Sequence, residues 1–463
     1  MTTDPLSPLT LADVAGCGGG RLSGENRAIN GISIDTRQLQ PGMLFVALKG
    51  EHDDGHDFVG VAQERGASGA LVARELPIRL PQIVVRDPLA ALTACAHERR
   101  RRFSGAVVGV TGSNGKTTTK EMLGAILSVK GPCLVTQGNL NNHIGVPLTL
   151  LRLEASHRSA VIEMGANHAG EIAHLASIAE PSVGIVTNAG AAHLEGFGSL
   201  EGVARAKGEL FVALGRDGTA IVNADDAFAP AWRDMIRGRI FTFGVDQPAD
   251  FSAHDIEMLV GPGGARQTFD LRCPAGRVRV ALAVAGRHNL RNALGAAAAA
   301  FAAGAGMDEI REGLERLKGV KGRLDFRPAL NGATLIDDSY NANPGSLGAA
   351  LEVIGHLSGQ RWLVLGDMME LGARSDELHR EMGESARAAG VDRLFAVGSR
   401  ARLSAEAFGE GARWFENIDD LIAAAQRDLS ADVIILIKGS RANRLERIAA
   451  ALGPPASTRQ EPS

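Results

Sequence analysis

Nine consecutive residues, Thr111-Gly112-Ser113-Asn114-Gly115-Lys116-Thr117-Thr118-Thr119, combine two glycines, a lysine and a run of hydroxyls. Glycines let backbone N–H groups approach a polyphosphate closely, and a helix N-terminus adds positive dipole potential. In such a loop Lys116 would neutralise β- and γ-phosphate oxygens, and the Thr117 hydroxyl would ligate Mg2+. The strict G-x-x-x-x-G-K-[ST] spelling fails by one position, because Val110 stands five residues before Gly115. A chance glycine turn ahead of a helix is the competing reading. The order strand, loop, Lys-Thr, helix favours phosphate.

Downstream, Glu163 in Val161-Ile162-Glu163-Met164-Gly165 closes a short apolar run, and His193 in Asn188-Ala189-Gly190-Ala191-Ala192-His193 follows the next one. Mg2+ prefers a carboxylate and tolerates an imidazole. Glu163 as a solvated strand-end carboxylate, and His193 as a turn or capping residue, are the plain alternatives.

These side chains need elements to carry them. Apolar runs at Ala106–Val110, Ala160–Ile162 and Val183–Val186 alternate with helical patterns such as Thr117–Lys130. That alternation predicts a parallel sheet with ligands at the carboxyl ends of its strands. Between Asp250 and Ala285 the pattern switches to alternation, seen in Val278-Arg279-Val280-Ala281-Leu282-Ala283-Val284, which predicts a small antiparallel sheet in the same domain. A small α/β unit precedes, with a capping box at Thr10/Asp13 and strands at Leu44–Leu48, Ala70–Ala73 and Gln82–Val85. A second open α/β sheet follows, from Leu335-Ile336, Trp362–Leu365, Leu394–Val397 and Val433–Ile437. The fold class is therefore α/β in three domains, 1–104, 105–318 and 319–452, with 453–463 expected to be a disordered tail.

The net charge of −4 argues against nucleic acid or anionic membrane as a main partner. Four scattered cysteines form no C-x-x-C pair and suit a reducing cytoplasm. Met1–Thr10 lacks a basic segment followed by an apolar run, so no signal peptide is expected. Ala293–Met307 is shorter than the ~18 to 20 apolar residues of a membrane span and reads as a buried helix. His97-Glu98-Arg99-Arg100-Arg101-Arg102 reads as a solvated helix end with cations on the C-terminal dipole.

The T-G-S-N-G-K-T-T spelling, with no leading glycine, resembles the Mur and folylpolyglutamate ligases, and the likeness extends over about residues 25–450. It implies an ATP- and Mg2+-dependent, ADP-forming amide ligase. It implies that Thr111 to Thr118 hold ATP, and that Thr117, Glu163 and His193 hold metal. Lys207 stands where the family places a lysine able to carry a carbamate and hold a second Mg2+; a surface lysine paired with Glu209 or Glu201 is the alternative. Gly286-Arg287-His288-Asn289-Leu290-Arg291-Asn292 is similar to the family's adenine and ribose segment, through His288, Asn289 and Asn292. Lys321-Gly322-Arg323 and Asp337-Asp338-Ser339-Tyr340-Asn341-Ala342-Asn343-Pro344 resemble the third domain's contribution. There Arg323 would reach the γ-phosphate and Asp338 the ribose or nucleotide edge. The resemblance makes Lys116, His193, Lys207 and Arg323 the catalytic set.

Ser33-Ile34-Asp35-Thr36-Arg37 and Gly138-Asn139-Leu140-Asn141-Asn142 look like the versions found in the member that adds D-alanyl-D-alanine to UDP-N-acetylmuramoyl-tripeptide. They imply substrate contacts by Ser33, Asp35, Thr36 and Arg37, by Asn139 and Asn142, and by Tyr340, Asn341 and Asn343. The D-N-P-R motif of the diaminopimelate-adding ligase is absent, and His143 stands where an acidic residue is expected. A cytoplasmic monomer in peptidoglycan precursor synthesis is implied. The third peptide residue, diaminopimelate or lysine, stays open. Another Mur-type ligase, a folylpolyglutamate synthetase and a nucleotide-binding switch are the competing functions.

Overall fold

The computed structural model of the chain describes residues 6–261, 264–320 and 322–454; Lys321 and the tail from 455 onward lie outside them. Three sheets contain the strands that the apolar runs predict, and each also has strands that no such run announced: Arg21–Ser23 and Ile32–Ser33 in the first, Cys133–Val135, Thr219–Asn223 and Arg239–Gly244 in the second, Asp325–Pro328 and Ala412–Phe415 in the third. The first has the order Arg21–Ser23, Gln82–Val84, Gly69–Val72, Leu44–Val46, Ile32–Ser33, parallel except for its first strand. Every residue of Leu44–Val46 and Gly69–Val72 is buried, as expected of parallel strands covered on both faces. Thr10 and Asp13 form the capping box at the helix Leu11–Cys17.

The helix Pro88–Arg102, capped by Asp87, joins this unit to the next. Its arginine run is not simply solvated, which corrects the sequence expectation. Arg99 is buried and donates to the carbonyls of Leu153, Ser7 and Leu6, while Arg100 donates to those of Ala179, Glu180 and Phe103. Only Arg101 and Arg102 lie exposed. Guanidinium groups satisfy several carbonyls at once, so they suit a seam where chain segments end.

The central sheet has nine strands. Ala106–Thr111 sits between Val183–Val186 and Ser159–Glu163, parallel to both. The antiparallel strands Phe251–Gly261, Gly264–Cys273 and Gly276–Leu282 hang from its edge through the parallel pairs Phe243–Phe251 and Gly244–Ser252. The alanine-rich helix Arg287–Ala302 is buried at nearly every position from Asn289 to Ala300, since small side chains allow close approach to Lys116–Leu127. Among the described residues no helix is long and apolar enough to cross a membrane.

The third sheet runs Asp325–Pro328, Thr334–Asp338, Val433–Lys438, Gln360–Gly366, Arg393–Val397, Ala412–Phe415, with only the first strand antiparallel.

Candidate active site

The phosphate-type loop leaves the carboxyl end of Ala106–Thr111 and enters the helix Lys116–Leu127. Gly112 has φ +144° and Gly115 φ +81°. A Cβ at Gly112 would lie 1.9 Å from Thr187 Oγ1, and one at Gly115 2.3 Å from Asn292 Oδ1. Both positions therefore demand glycine on two counts. The loop is wired to the turn after Val183–Val186: Ser113 N–H donates to Asn188 O at 2.9 Å, Asn114 N–H to Asn188 Oδ1 at 3.0 Å, and the Thr187 hydroxyl to Asn114 O at 2.6 Å. Such bracing sets it apart from a chance turn. Thr111 supports it from behind, its hydroxyl donating to Met164 O, and Thr118 is buried in the first helical turn. Lys116 folds over the loop, with Nζ donating to Gly112 O at 2.6 Å and Ser113 O at 3.2 Å. Burial lowers its pKa; Glu163 pulls it up and Arg323 down.

Glu163 is 2% exposed, so the solvated-carboxylate reading fails. Asn141 Nδ2 donates to its Oε1 at 2.7 Å, while Oε2 accepts no hydrogen bond and has Lys120 Nζ at 3.7 Å. His193 does sit as a turn residue, φ +55°, at the start of Leu194–Phe197. Its Nδ1 nevertheless reaches Glu370 Oε2 at 2.5 Å. Burial lowers the His193 pKa against the pull of Glu370, and Lys116 and Lys207 lower it further.

Lys207 is 1% exposed, with Nζ donating to Ala166 O at 3.2 Å and lying 5.1 Å from the Phe197 ring centre. It is no surface lysine paired with Glu209, whose carboxylate instead accepts from Gly170 and Ala173 N–H. Burial, with Lys116 adding to it, brings Lys207 down to about 7.

Among the described residues no three acidic, histidine or cysteine side chains cluster as a ready-made metal cage. Mg2+ does not require one, because it keeps waters and borrows phosphate oxygens. The spare oxygen of Glu163 beside the Thr117 hydroxyl's loop fits that habit.

The third sheet supplies the opposite wall. Arg323 stacks on Tyr340, 4.2 Å from the ring centre, and Nη2 reaches Thr117 Oγ1 at 3.5 Å. Asn343 donates to Asn114 Oδ1 at 2.7 Å and caps the helix Pro344–Gly355. Asp338 is anchored at the strand end, where Lys438 Nζ is bonded to its Oδ2 and Leu324 N–H donates to its Oδ1 at 3.2 Å, each oxygen keeping a second lone pair. His288 is brought down to about 4 by burial, with Lys438 and Arg291 adding to it. Asn289 donates to Ala285 O and accepts from Asn292, whose amide backs Gly115.

Between the walls lies a cleft of about 860 Å3. Ser113 to Thr117, Glu163, His193, Arg323, Tyr340, Asn341 and Asn343 line it, as does Asn142, whose Oδ1 caps the Gly145 turn. Lys207, His288, Asn289, Asn292 and Asp338 do not border it, and neither does exposed Asn139. Ser33, Asp35, Thr36 and Arg37 stand apart, at the end of the first sheet. There Arg37 lowers the pKa of Asp35 by hydrogen bonding, and the Arg37 side chain is exposed. Sequence reasoning missed Asn141, Lys120, Glu370, Lys438 and Arg441. Asn141 stood inside a quoted motif, whereas the others carry no local signal.

Three family models match: "Mur ligase family, catalytic domain" over residues 28–100, "Mur ligase middle domain" over 110–300 and "Mur ligase, glutamate ligase domain" over 322–441. The chain is 45% identical to UDP-N-acetylmuramoyl-tripeptide--D-alanyl-D-alanine ligase of Escherichia coli, covering 96% of this chain and 98% of that protein. It is 35% identical to the ligase of the same name in Bacillus subtilis, covering 92% and 93%. The crystal structure of MurF from Acinetobacter baumannii superposes with TM-score 0.87 at 38% identity, covering 96% and 99%. MurF from Thermotoga maritima in complex with ADP gives 0.78 at 28%, covering 91% and 96%. With all three segments matched in order along a single phosphate-binding scaffold, the chain belongs to the Mur ligase family.

Proposed function

We propose that this chain joins D-alanyl-D-alanine to UDP-N-acetylmuramoyl-tripeptide in the cytoplasm, consuming ATP and releasing ADP and phosphate. The observation that carries this reading is full-length identity of 45% to a relative of that name, together with a braced phosphate loop facing Arg323 across the cleft. Solved structures of a diaminopimelate ligase and a folylpolyglutamate synthase share only 20% and 18% identity with the chain. They speak for the fold alone.

A carboxylate and an ammonium at neutral pH form an ion pair, so the carboxylate must be activated. Its oxygen attacks the γ-phosphorus, ADP leaves, and an acyl phosphate results. The dipeptide ammonium first gives a proton to solvent, and the free amine nitrogen attacks the acyl carbon; the C–O bond to phosphate then breaks, and the nitrogen's second proton passes to the departing phosphate. Lys116 and Arg323 neutralise the charge that gathers on the phosphoryl oxygens. Bound Mg2+ would add further neutralisation, held by Thr117 and Glu163, with His193 and a carbamylated Lys207 nearby. Residues from two sheets enclose the reacting groups and keep water from the acyl phosphate.

Phosphate release should depend on D-alanyl-D-alanine and not on single amino acids, lysine, diaminopimelate or glutamate. Lys116→Ala should keep its circular dichroism and lose ADP formation. Turnover with another amine in the panel would reassign the substrate, and ATP binding without acceptor-dependent turnover would make the chain a switch.

A further inference from the structure

The third-sheet wall of the cleft carries two side chains of opposite charge that no step above uses. Glu370 follows the strand Gln360–Gly366 at φ +63°. Its carboxylate reaches over the cleft to His193 and makes no other polar contact among the described residues. Arg441 follows Val433–Lys438, with its guanidinium 5.7 Å from the Tyr340 ring centre. Its nearest carboxylate, Glu446, stands at 3.6 Å, beyond hydrogen-bond length. Both residues border the cleft.

Two adjoining loops carry the pair. Met369 N–H donates to Ser440 Oγ at 2.8 Å, Ser440 N–H to Asp367 O at 3.0 Å, and Asn443 Nδ2 to Asp367 O at 2.7 Å. These bonds brace the two loops, while the side chains themselves stay more than half exposed, 53% for Glu370 and 65% for Arg441. An anion and a cation offered from adjoining loops suit a ligand with an ammonium at one end and a carboxylate at the other. A guanidinium fork receives a carboxylate through two parallel bonds, and the Tyr340 ring, which Arg323 covers more closely, lies within cation–π reach of Arg441. The phosphate side of the cleft already has its cations, since Lys116 covers the loop and Arg323 touches Thr117. Because Glu370 already meets His193, an ammonium held there arrives at the rim that carries the phosphate loop.

We propose that Glu370 and Arg441 form a cradle for the zwitterionic dipeptide, Glu370 binding its ammonium and Arg441 its terminal carboxylate. This rests on the ligase reading above and assigns the acceptor side of that site.

The test compares D-alanyl-D-alanine with its C-terminal amide in phosphate-release assays on the full-length protein. Wild type should prefer the free acid by about 10- to 100-fold in kcat/KM, the scale of one charged hydrogen-bonded contact. Arg441→Ala should take acid and amide about equally, with the KM for ATP changed less than about twofold. Arg441→Lys should recover part of the preference. Glu370→Gln should raise the dipeptide KM about tenfold and keep the acid-over-amide preference. An Arg441→Ala protein that still prefers the acid, or that loses ATP affinity instead, overturns the cradle while leaving the ligase intact. Wild type with no response to the dipeptide overturns the ligase reading and the cradle together.

Discussion

Lys207 holds its amine in a pocket where an ammonium is poorly solvated and Lys116 repels it, which is why its pKa falls to about 7. Carbamate formation consumes CO2 and requires the neutral amine, which turns a cation into an anion. The neutral fraction grows as pH rises through about 7, so activity that depends on CO2 should fade as pH drops below that value. Lys207→Ala should be nearly inactive, and propionate in the buffer should restore part of the loss by replacing the missing anion. A lysine that serves as a plain cation predicts the reverse sign, because an added anion would repel the nucleotide. Steady-state assays with and without propionate, in degassed and bicarbonate-charged buffers, distinguish the two, and a fully active alanine variant ends the carbamate reading.

The helix Pro88–Arg102 shows how a run of like charges divides by helical position. Arg99 bonds three carbonyls, of Leu153, Ser7 and Leu6, and thereby ties the N-terminal residues to the central domain. Arg99→Ala should destabilise the protein by about 2–4 kcal/mol through loss of buried charged bonds, whereas exposed Arg101→Ala should change it by less than about 0.5 kcal/mol. Chemical denaturation of both variants checks the contrast, and equal midpoints would refute it. The four adjacent arginines look alike as letters. The approach of Leu153, Ser7 and Leu6 to Arg99, and of Ala179 and Glu180 to Arg100, set by packing of distant segments, separates them. Strands were legible for the opposite reason, since Val183–Val186 and Val433–Lys438 declare themselves by local apolar runs. The phosphate loop was legible too, because its chemistry is contiguous. Glu370 and Arg441 were not, because each takes its meaning from a partner on another element, His193 in one case and Tyr340 in the other. Asp338 was read as a nucleotide contact; its bond to Lys438, 100 residues away, had no local trace.

A few bonds bridge the central and third domains across the cleft, and Asn343 carries one of them while also capping its own helix. Its Oδ1 accepts from Ser346 N–H at 2.8 Å, and its Nδ2 donates to Asn114 Oδ1 at 2.7 Å. The two roles use different atoms, so two substitutions separate them. Asn343→Asp keeps an oxygen for the cap and is an equally good N-cap residue. It loses the donor toward Asn114 and sets a negative charge beside the phosphate loop. Asn343→Ala loses both functions, and the missing cap should cost about 1 kcal/mol. We therefore expect Asn343→Asp to melt near wild type and yet raise the KM for ATP about tenfold, through lost closure and repulsion of the triphosphate. Asn343→Ala should melt lower but suffer less in ATP affinity, because it adds no charge. Were closure unimportant, the order of the two ATP effects would still follow charge, but their dependence on ionic strength would differ. Repulsion alone is screened at high salt, so the Asp defect would vanish there, whereas a lost bond between the two walls persists in both variants. Residual ATP weakening in Asn343→Ala at high salt is thus the measure of what this contact contributes to closing the cleft, and its absence would show that the walls come together without it.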